Sequence, residues 1–433
     1  MVVIICGGNM KMEIKEIKIG GFRNIKNCVI DIDKITGLLS INSYGKSNIL
    51  RGIEFGIDFI TSSNQVRDNM FGWKSGFPKN KNIDPKRFNF ELYIVYTNNI
   101  SEYDIKYGFS IDWRLSEKES GGINKEYLYI KDRQKSSKFS QYINRAYDIS
   151  KYKGSENGRC DKKINIDYNE LVLEKLTAYD ELFYLEILKE IKRLEVYVDR
   201  HLDSADAFEF EPIVLKNNDD LKLVTVDNIP RTLYKLKEQY LDKYNYLMDI
   251  YKQLFPKIER VETRRFELAG PAQPPELPEE YKLVEHAYFL YCKEYNMSCE
   301  INFKQMSDGA KRVLLLLTNL VLADINNVIL FCVEEPENSI NPSLFKQYIE
   351  VINDLSENTK IIITSHSPYL VDYLPPENLY IGCSNDCDIA VFKKIKKRAI
   401  KSLYRDSKEM DMSYGEYVFD LVSTGEDIDK YVE

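Results

Sequence analysis

Val328 to Pro342 reads VILFCVEEPENSINP. Val328 to Val333 is apolar throughout, the composition of a strand buried on both faces as in the parallel sheets of α/β proteins. Such a strand carries whatever follows it to the carboxyl edge of the sheet, where ligands of open α/β folds bind. Here it delivers two adjacent carboxylates, Glu334 and Glu335. One can hold Mg²⁺ through water while its neighbour orients or deprotonates an attacking water, the arrangement of a phosphate-hydrolysing site. Two acidic residues after a strand also occur as a solvated turn. The reading therefore depends on a phosphate loop elsewhere in the chain.

Ser40 to Ser47, SINSYGKS, supplies one. It follows the apolar stretch Ile35 to Leu39 and precedes a helical pattern with Ile49, Leu50, Ile53 and Ile57, so strand, loop and helix come in the required order. A phosphate loop needs inward-turned backbone N–H groups, a helix N-terminus, a lysine for the β- and γ-phosphates and a hydroxyl on the metal. Gly45, Lys46 and Ser47 complete the G-x-x-x-x-G-K-[ST] pattern, whose first glycine is replaced by Ser40. A third element, QMSDGAKR at 305–312, opens a nearly continuous apolar helix, Val313 to Ala323. Ser307 there is either a phosphate donor aided by the helix dipole or a plain N-cap. The fourth, IIITSHSP at 361–368, is a second buried strand ending in His366, one of three histidines in the chain. That imidazole is either satisfied packing or a hydrogen-bonding sensor of a γ-phosphate.

Together these residues resemble the SMC/ABC-type ATPase heads, most closely the OLD-like AAA-family ATPases of bacterial antiphage defence such as PARIS and Septu. The order GFRNI, xNxxGKSN, SDGxKR, EEPENxxxP and TSHSPYL carries the resemblance over both ends of the chain. It implies an α/β fold, an ABC/SMC-type P-loop ATPase head with a mixed sheet, split by a helical insertion. It further implies Walker A at Asn42 to Asn48, including Asn42, Gly45, Lys46, Ser47 and Asn48. The signature motif falls at Met306 to Arg312 with Ser307 and Gly309 acting in trans, and Glu334 with Ser47 falls on the metal. Glu335 is the implied catalytic glutamate and His366 the switch histidine. Arg23 of GFRNI matches an arginine that reaches the nucleotide, and a surface arginine on a strand edge is the competing reading. ATP and Mg²⁺ are the implied cofactors, and a homo-oligomer with ATP sandwiched between heads the implied assembly. The chain departs from the pattern at Ser40, at Glu334 where relatives carry aspartate, and at Asn341 where they carry histidine.

With 433 residues, 44% hydrophobic composition and a net charge of −8, the chain is long enough for a full core and is not a generally basic DNA-coating protein. Any nucleic-acid surface must be a patch. Eight cysteines are scattered without paired CxxC spacing, which reads as reduced thiols in the cytoplasm. No apolar run is long enough to span a membrane. Met1 to Gly8 lacks the basic flank and cleavage site of a secretory signal and reads as a start-site extension or an extra strand.

The phosphate loop and the signature motif lie far apart, so the head must be assembled from both ends of the chain. The expected division is an N-terminal lobe at 1–115, an insertion at 116–280 and a C-terminal lobe at 281–433. MEIKEIKIGGF from Met12 alternates as a strand, as do Phe88 to Thr97 and its hairpin partner Tyr103 to Trp113. Lys131 to Lys163, rich in Lys, Ser, Gly, Asn and Tyr, reads as a mobile basic loop. Leu182 to Leu194, and the nearly heptad stripe Leu233 to Leu254, read as an antiparallel helical pair. Prolines at 271, 274, 275 and 278 mark a connector. Asp427-Ile428-Asp429 has the spacing of a metal-nuclease pair but reads as a solvated end, so a nuclease would be a separate protein. The basic run Lys393 to Arg405 is either a solvated face or a phosphate-contacting patch.

The function these features point to is a slowly hydrolysing ATPase subunit of an antiphage system. It would form an oligomeric scaffold that responds to a phage-encoded trigger and controls a separate nuclease or toxin effector. Two alternatives stand beside it: a RecF/SMC-like DNA-repair clamp, and a nucleotide-binding scaffold that hydrolyses nothing.

Overall fold

The computed structural model describes residues 11–200, 206–210, 212–216, 221, 229–269, 275–338, 340–356, 358–383, 387–425 and 427–433. The apolar start at Met1 to Gly8, and Pro271 and Pro274 of the connector, lie outside the described residues. The chain divides into two compact units, Met1–Val198 with Lys360–Glu433, and Asp199–Thr359.

The first unit opens with β1 (Lys11–Phe22), whose Ile14, Ile17 and Ile19 are buried, followed by β2 (Ile25–Asp31) and β3 (Ile35–Leu39). The helices α1 (Lys46–Thr61) and α2 (Asn64–Phe71) come next. A meander then runs through β4 (Arg87–Thr97), β5 (Glu102–Asp112), β6 (Gly122–Asp132), β7 (Ser140–Ala146), β8 (Ile149–Lys153) and β9 (Cys160–Lys163). These form an eight-stranded antiparallel sheet in the order β2-β1-β4-β5-β6-β7-β8-β9. Its buried face holds an aromatic cluster with α1, in which Phe55 meets Phe88 edge-on at 5.0 Å and Phe59 stacks on Phe109 at 4.7 Å. The approach is close because α1 presents Gly56 to the sheet: a Cβ there would stand 2.4 Å from the Phe90 ring.

The C-terminal end of α1 is clasped by two cations. Lys192, from the helix pair α3 (Val172–Leu176) and α4 (Leu185–Lys192), donates to the carbonyls of Ile60, Thr61 and Ser62 at 3.0, 3.3 and 3.1 Å. The buried Arg67 donates to Ser62 at 2.6 Å and Phe59 at 3.3 Å. Carbonyls at a helix C-terminus lack intrahelical partners and carry the negative end of its dipole, so cations are the fitting donors.

A second sheet in this unit is built around β3, which is wholly buried. Lys360–Ser365 pairs with it in parallel on one side, Ser365 opposite Leu39, and Leu379–Gly382 in parallel on the other, Ile381 opposite Leu39. Phe392–Lys394 then pairs antiparallel with Leu379–Gly382. The sheet is thus mixed, with helices Pro368–Tyr373, Ile400–Glu409 and Tyr414–Thr424 completing the C-terminal part.

The second unit contains a three-stranded antiparallel sheet of Ile258–Glu267, His286–Glu294 and Ile301–Asn302. With it are the helices Ile229–Gln239, Leu241–Leu254, Asp308–Ile325 and Pro342–Leu355 and the buried strand Leu330–Glu334. Helix Asp308–Ile325 is buried along most of its length, and its Arg312 pairs with Asp199 at 2.6 Å.

Two expectations fail. Lys131 to Lys163 is not a loop but contributes the strands β7, β8 and β9. Its inward positions carry Arg145 and Lys153 beside Ile143, so the apolar alternation that signals a strand is hidden. Arg145 is accommodated by the carbonyls of Glu170 and Asp167 at 2.6 and 3.0 Å. Nor is each stretch of the expected helical pair a single long helix. Its first stretch is the short α4 of the first unit, packed on α1 and α3, while the second is two helices of the other unit, interrupted at Tyr240.

Two predictions follow from the packing. Gly56→Ala should destabilise the protein by about 1–3 kcal/mol. Gly72→Ala, where an added Cβ meets nothing nearer than 3.7 Å, should leave urea unfolding nearly unchanged. On the sheet, burial alone would raise the Asp104 carboxyl, but hydrogen bonds from Arg133, Lys131 and Tyr93 outweigh it and hold it at about 2. That lies below the ordinary value of about 3.9, so the contribution is fully present above pH ~4 and lost as pH falls towards 2. Asp104→Asn should cost about 1–2 kcal/mol near pH 7, and unfolding curves across that acid range should show the gap to wild type closing.

Candidate functional site

The phosphate loop lies in the first unit. The loop leaves the carboxyl end of β3, turns through left-handed backbone at Ser43 (φ 61°) and Gly45 (φ 131°), and enters α1, where Ile49 N–H donates to Gly45 at 3.1 Å. No side chain caps the helix at Gly45, and the first turn of α1 carries no acidic residue. The positive end of the helix dipole is therefore not countered by a carboxylate of its own first turn, which suits an anion. Lys46 is 5% exposed, and its ammonium reaches back across the loop to the carbonyls of Ser40 at 2.9 Å and Ile41 at 3.2 Å. A Cβ at Gly45 would stand 2.8 Å from Ala390 Cβ and 3.0 Å from Asn24 Oδ1. The donor set of helix N-terminus, Lys46 and Ser47 fits nucleotide phosphates with a divalent cation.

Arg23 is half-buried in the turn between β1 and β2. Its guanidinium donates to Asn48 Oδ1 at 2.8 Å and to the Ser75 carbonyl at 2.8 Å, and its own backbone is left-handed (φ 51°) with N–H donated to Gly76 at 3.0 Å. The chain of contacts continues: Asn48 Nδ2 donates to Asn24 Oδ1 at 2.8 Å, and Asn24 Nδ2 donates to the Tyr44 carbonyl at 3.0 Å. Asn24 and Tyr44 are the residues that sequence reasoning passed over. Both stand inside motifs already singled out, but neither contact is visible without the fold. The Tyr44 hydroxyl donates to the Cys383 carbonyl and accepts from Val391 N–H at 3.2 Å, and its ring meets Phe392 edge-on at 5.6 Å. His366 follows Ser365, whose carbonyl accepts from Ser40 N–H at 3.4 Å. The parallel register thus brings His366 to the same sheet edge as the loop.

The paired carboxylates lie in the second unit. Leu330–Glu334 ends in Glu334, and Glu335 takes left-handed backbone (φ 47°), uncommon for a residue with a side chain. Asn338 Nδ2 donates to Glu335 Oε2 at 3.2 Å, and Asn338 N–H to the Glu335 carbonyl at 3.1 Å. Backbone held in a sparsely populated region at such a position is a pointer to function. Ser307 is an N-cap: its hydroxyl accepts from Ala310 N–H at 3.3 Å, with Gly309 in the first turn. Asn341 likewise caps Pro342–Leu355, accepting from Leu344 N–H at 2.9 Å, which is what asparagine does at this position.

Much of the basic run after Phe392 is neutralised within the chain. Lys393 pairs with Asp429 at 2.7 Å, Lys394 with Asp31 at 3.1 Å and Arg405 with Asp406 at 2.9 Å, while Lys396 donates to the Asp429 and Lys430 carbonyls. Asp427 pairs with Lys430 at 3.3 Å, so the terminal acidic pair is engaged in local ion pairs. Among the described residues no group of His, Cys, Asp and Glu is arranged to hold a metal, and no helix is long and apolar enough to cross a membrane.

A buried central strand, a glycine-lysine-serine loop into a helix, and a mixed sheet define an α/β P-loop ATPase fold. The chain belongs to the family described as "AAA domain, putative AbiEii toxin, Type IV TA system", which it matches over residues 41–372, more than half its length. No curated protein matches it. Among solved structures it is similar to an Smc head bound to the C-winged helix domain of ScpA, at 14% identity over 90% of this chain and 99% of the other, with a TM-score of 0.45. It is also similar to the SMC head domain from Thermotoga maritima, at 14% identity over 89% of this chain and 99% of the other, with a TM-score of 0.42. A Pyrococcus furiosus Smc head with an extended coiled coil, bound to the C-terminal domain of ScpA, gives 11% identity over 92% and 100% with a TM-score of 0.45. The fold assignment rests on the family match and the chain's own topology rather than on these scores.

Proposed function

We propose that this protein is an ATP-binding, slowly hydrolysing ATPase subunit of an antiphage defence system, acting in the cytoplasm as a homo-oligomeric scaffold. In this reading it responds to a phage-encoded trigger and controls a separate nuclease or toxin effector. The observation that carries the ATPase part is the uncapped N-terminus of α1 with Lys46 drawn across the loop in front of it. The defence part is supported by the family description, which refers to a putative toxin of a type IV toxin–antitoxin system.

The roles are these. Asn42, Gly45, Lys46, Ser47 and Asn48 hold the phosphates, with Arg23 fixing Asn48 and reaching the nucleotide. Ser47 and Glu334 hold Mg²⁺, which when bound supplies charge neutralisation on the phosphates. Glu335 orients and deprotonates the attacking water, and His366 reports the γ-phosphate by hydrogen bonding. Ser307 and Gly309 act in trans on the nucleotide of another protomer. The Ser307 hydroxyl accepts from Ala310 N–H, which leaves its proton to donate. The departures at Ser40 and Glu334 support slow rather than fast turnover. The internal ion pairs of the basic run give the DNA-clamp alternative no specific support.

Glu335→Gln should lower phosphate release by about 100-fold while leaving nucleotide binding intact, and Lys46→Ala should abolish binding. Equal phosphate release by wild type and Glu335→Gln would overturn the hydrolytic reading. Co-purification of tagged protein with its native neighbouring gene products tests the scaffold: a retained effector supports it, whereas recovery of DNA alone, lost at higher salt, would favour a clamp.

A further inference from the structure

We propose that Gly382 is a positioning residue for the phosphate loop, paired with Ser40 so that the serine in place of the loop's usual first glycine is accommodated by a glycine on the neighbouring strand. The inference rests on the reading that Ser40 to Ser47 holds ATP phosphates.

Ser40 is fully buried and is a hinge of the loop in two respects. Its carbonyl accepts from the Lys46 ammonium at 2.9 Å, and its N–H donates to Ser365 at 3.4 Å. A displacement of Ser40 therefore moves the acceptor that sets where the lysine rests. The parallel pairing of Leu379–Gly382 with β3 brings Gly382 beside Ser40. A Cβ built on Gly382 would stand 2.5 Å from Ser40 Cβ and 2.8 and 3.0 Å from Tyr44 Cδ1 and Cε1. Neither neighbour can yield easily. Ser40 is held by strand pairing, and Tyr44 by its hydroxyl contacts to Cys383 and Val391 and by the Phe392 ring. The backbone of Gly382 is not left-handed, so conformation does not demand glycine there. What the loop needs from position 382 is the missing side chain.

The test is a set of variants measured for affinity to a fluorescent ATP analogue, for KM and kcat of phosphate release, and for thermal unfolding. Gly382→Ala should weaken nucleotide affinity and raise KM by about 10-fold, with a smaller change in kcat. The affinity of Ser40→Gly alone is the reference against which its double variant is read. Ser40→Gly with Gly382→Ala should recover at least half of the lost affinity on a logarithmic scale, since the 2.5 Å contact is gone and only the Tyr44 contact remains. Ser40→Ala with Gly382→Ala should not recover it, because the Cβ is kept and only the hydroxyl is lost. If Gly382→Ala alone fails to fold, the contrast between the two double variants still decides. Wild-type affinity in Gly382→Ala, or equal rescue by Ser40→Ala and Ser40→Gly, would overturn the inference. Absence of analogue binding by wild type and Ser40→Gly alike would instead overturn the ATP reading beneath it.

Discussion

The parallel pairing of β3 with strands from the far end of the sequence is the constraint on which the phosphate loop depends. Parallel neighbours cannot be joined by a tight turn, so Ile35–Leu39 must wait for Lys360–Ser365 and Leu379–Gly382 to return from across the chain. Once they do, the shared direction of the three strands puts their carboxyl ends on one edge. Ser40, His366 and Gly382 are the residues at or just beyond those ends, which is why motifs far apart in sequence become neighbours. Gly37, in the middle of β3, would clash through a Cβ with Leu379 and Leu374 at 2.7 and 2.9 Å, so even the centre of the strand is fitted to its late-arriving partner.

The same economy governs α1, a helix fixed at both ends by different chemistry. Its N-terminus carries no side-chain cap at Gly45, whereas carbonyls at its C-terminus are held by Lys192 and Arg67. Arg67 is fully buried, and burying a guanidinium is unfavourable unless its donors are met. Here they are, through Ser62, Asn64, Glu174 and the Asn169 carbonyl at 3.0 Å. Because removal of one partner would strand the others in a dry site, α2, α3 and α4 are bound to the position of the phosphate-loop helix. The glycine contact at Gly56 and the aromatic cluster fix the same helix against the sheet from the side. A loop whose helix cannot shift is preorganised for a ligand, the condition under which binding energy is not spent on ordering.

Legibility in the sequence followed the distance over which each feature is determined. Strands that alternate on their own, such as β1, β4 and β5, were readable because half-burial imposes a period of two on the local sequence. So was the strand-loop-helix around Gly45 to Ser47. The meander at β7 to β9 was not, because buried Arg145 and Lys153 are stabilised by groups supplied from elsewhere: the Glu170 and Asp167 carbonyls and, beside Tyr142 of β7, the Phe183 ring at 5.8 Å. Heptad spacing from Leu233 to Leu254 suggested one long helix, yet Tyr240 leaves helical geometry (ψ 61°) and divides it. Periodicity counts spacing and cannot register one residue of altered backbone. The link from Arg23 to Asn48, and the fit of Ser40 against Gly382, were hidden for a related reason: each is a relation between two residues, and the sequence displays only the residues.

The paired carboxylates show how backbone conformation can separate two identical side chains. In a continuing strand, Glu334 and Glu335 would point to opposite faces, one of them necessarily into packed sheet. Glu334 keeps strand geometry, while Glu335 turns through φ 47° and so leaves the sheet edge in a different direction. That conformation costs a residue with a Cβ of order 1 kcal/mol, and glycine or asparagine would occupy it with less strain. The turn is instead sustained by Asn338, which holds the Glu335 carbonyl from its backbone and the carboxylate from its side chain. A position that needed only a tight turn would have no use for a strained glutamate. In the roles proposed for Glu334 and Glu335 a carboxylate aimed away from its neighbour has such a use, and the strained backbone then follows from placing two like charges side by side.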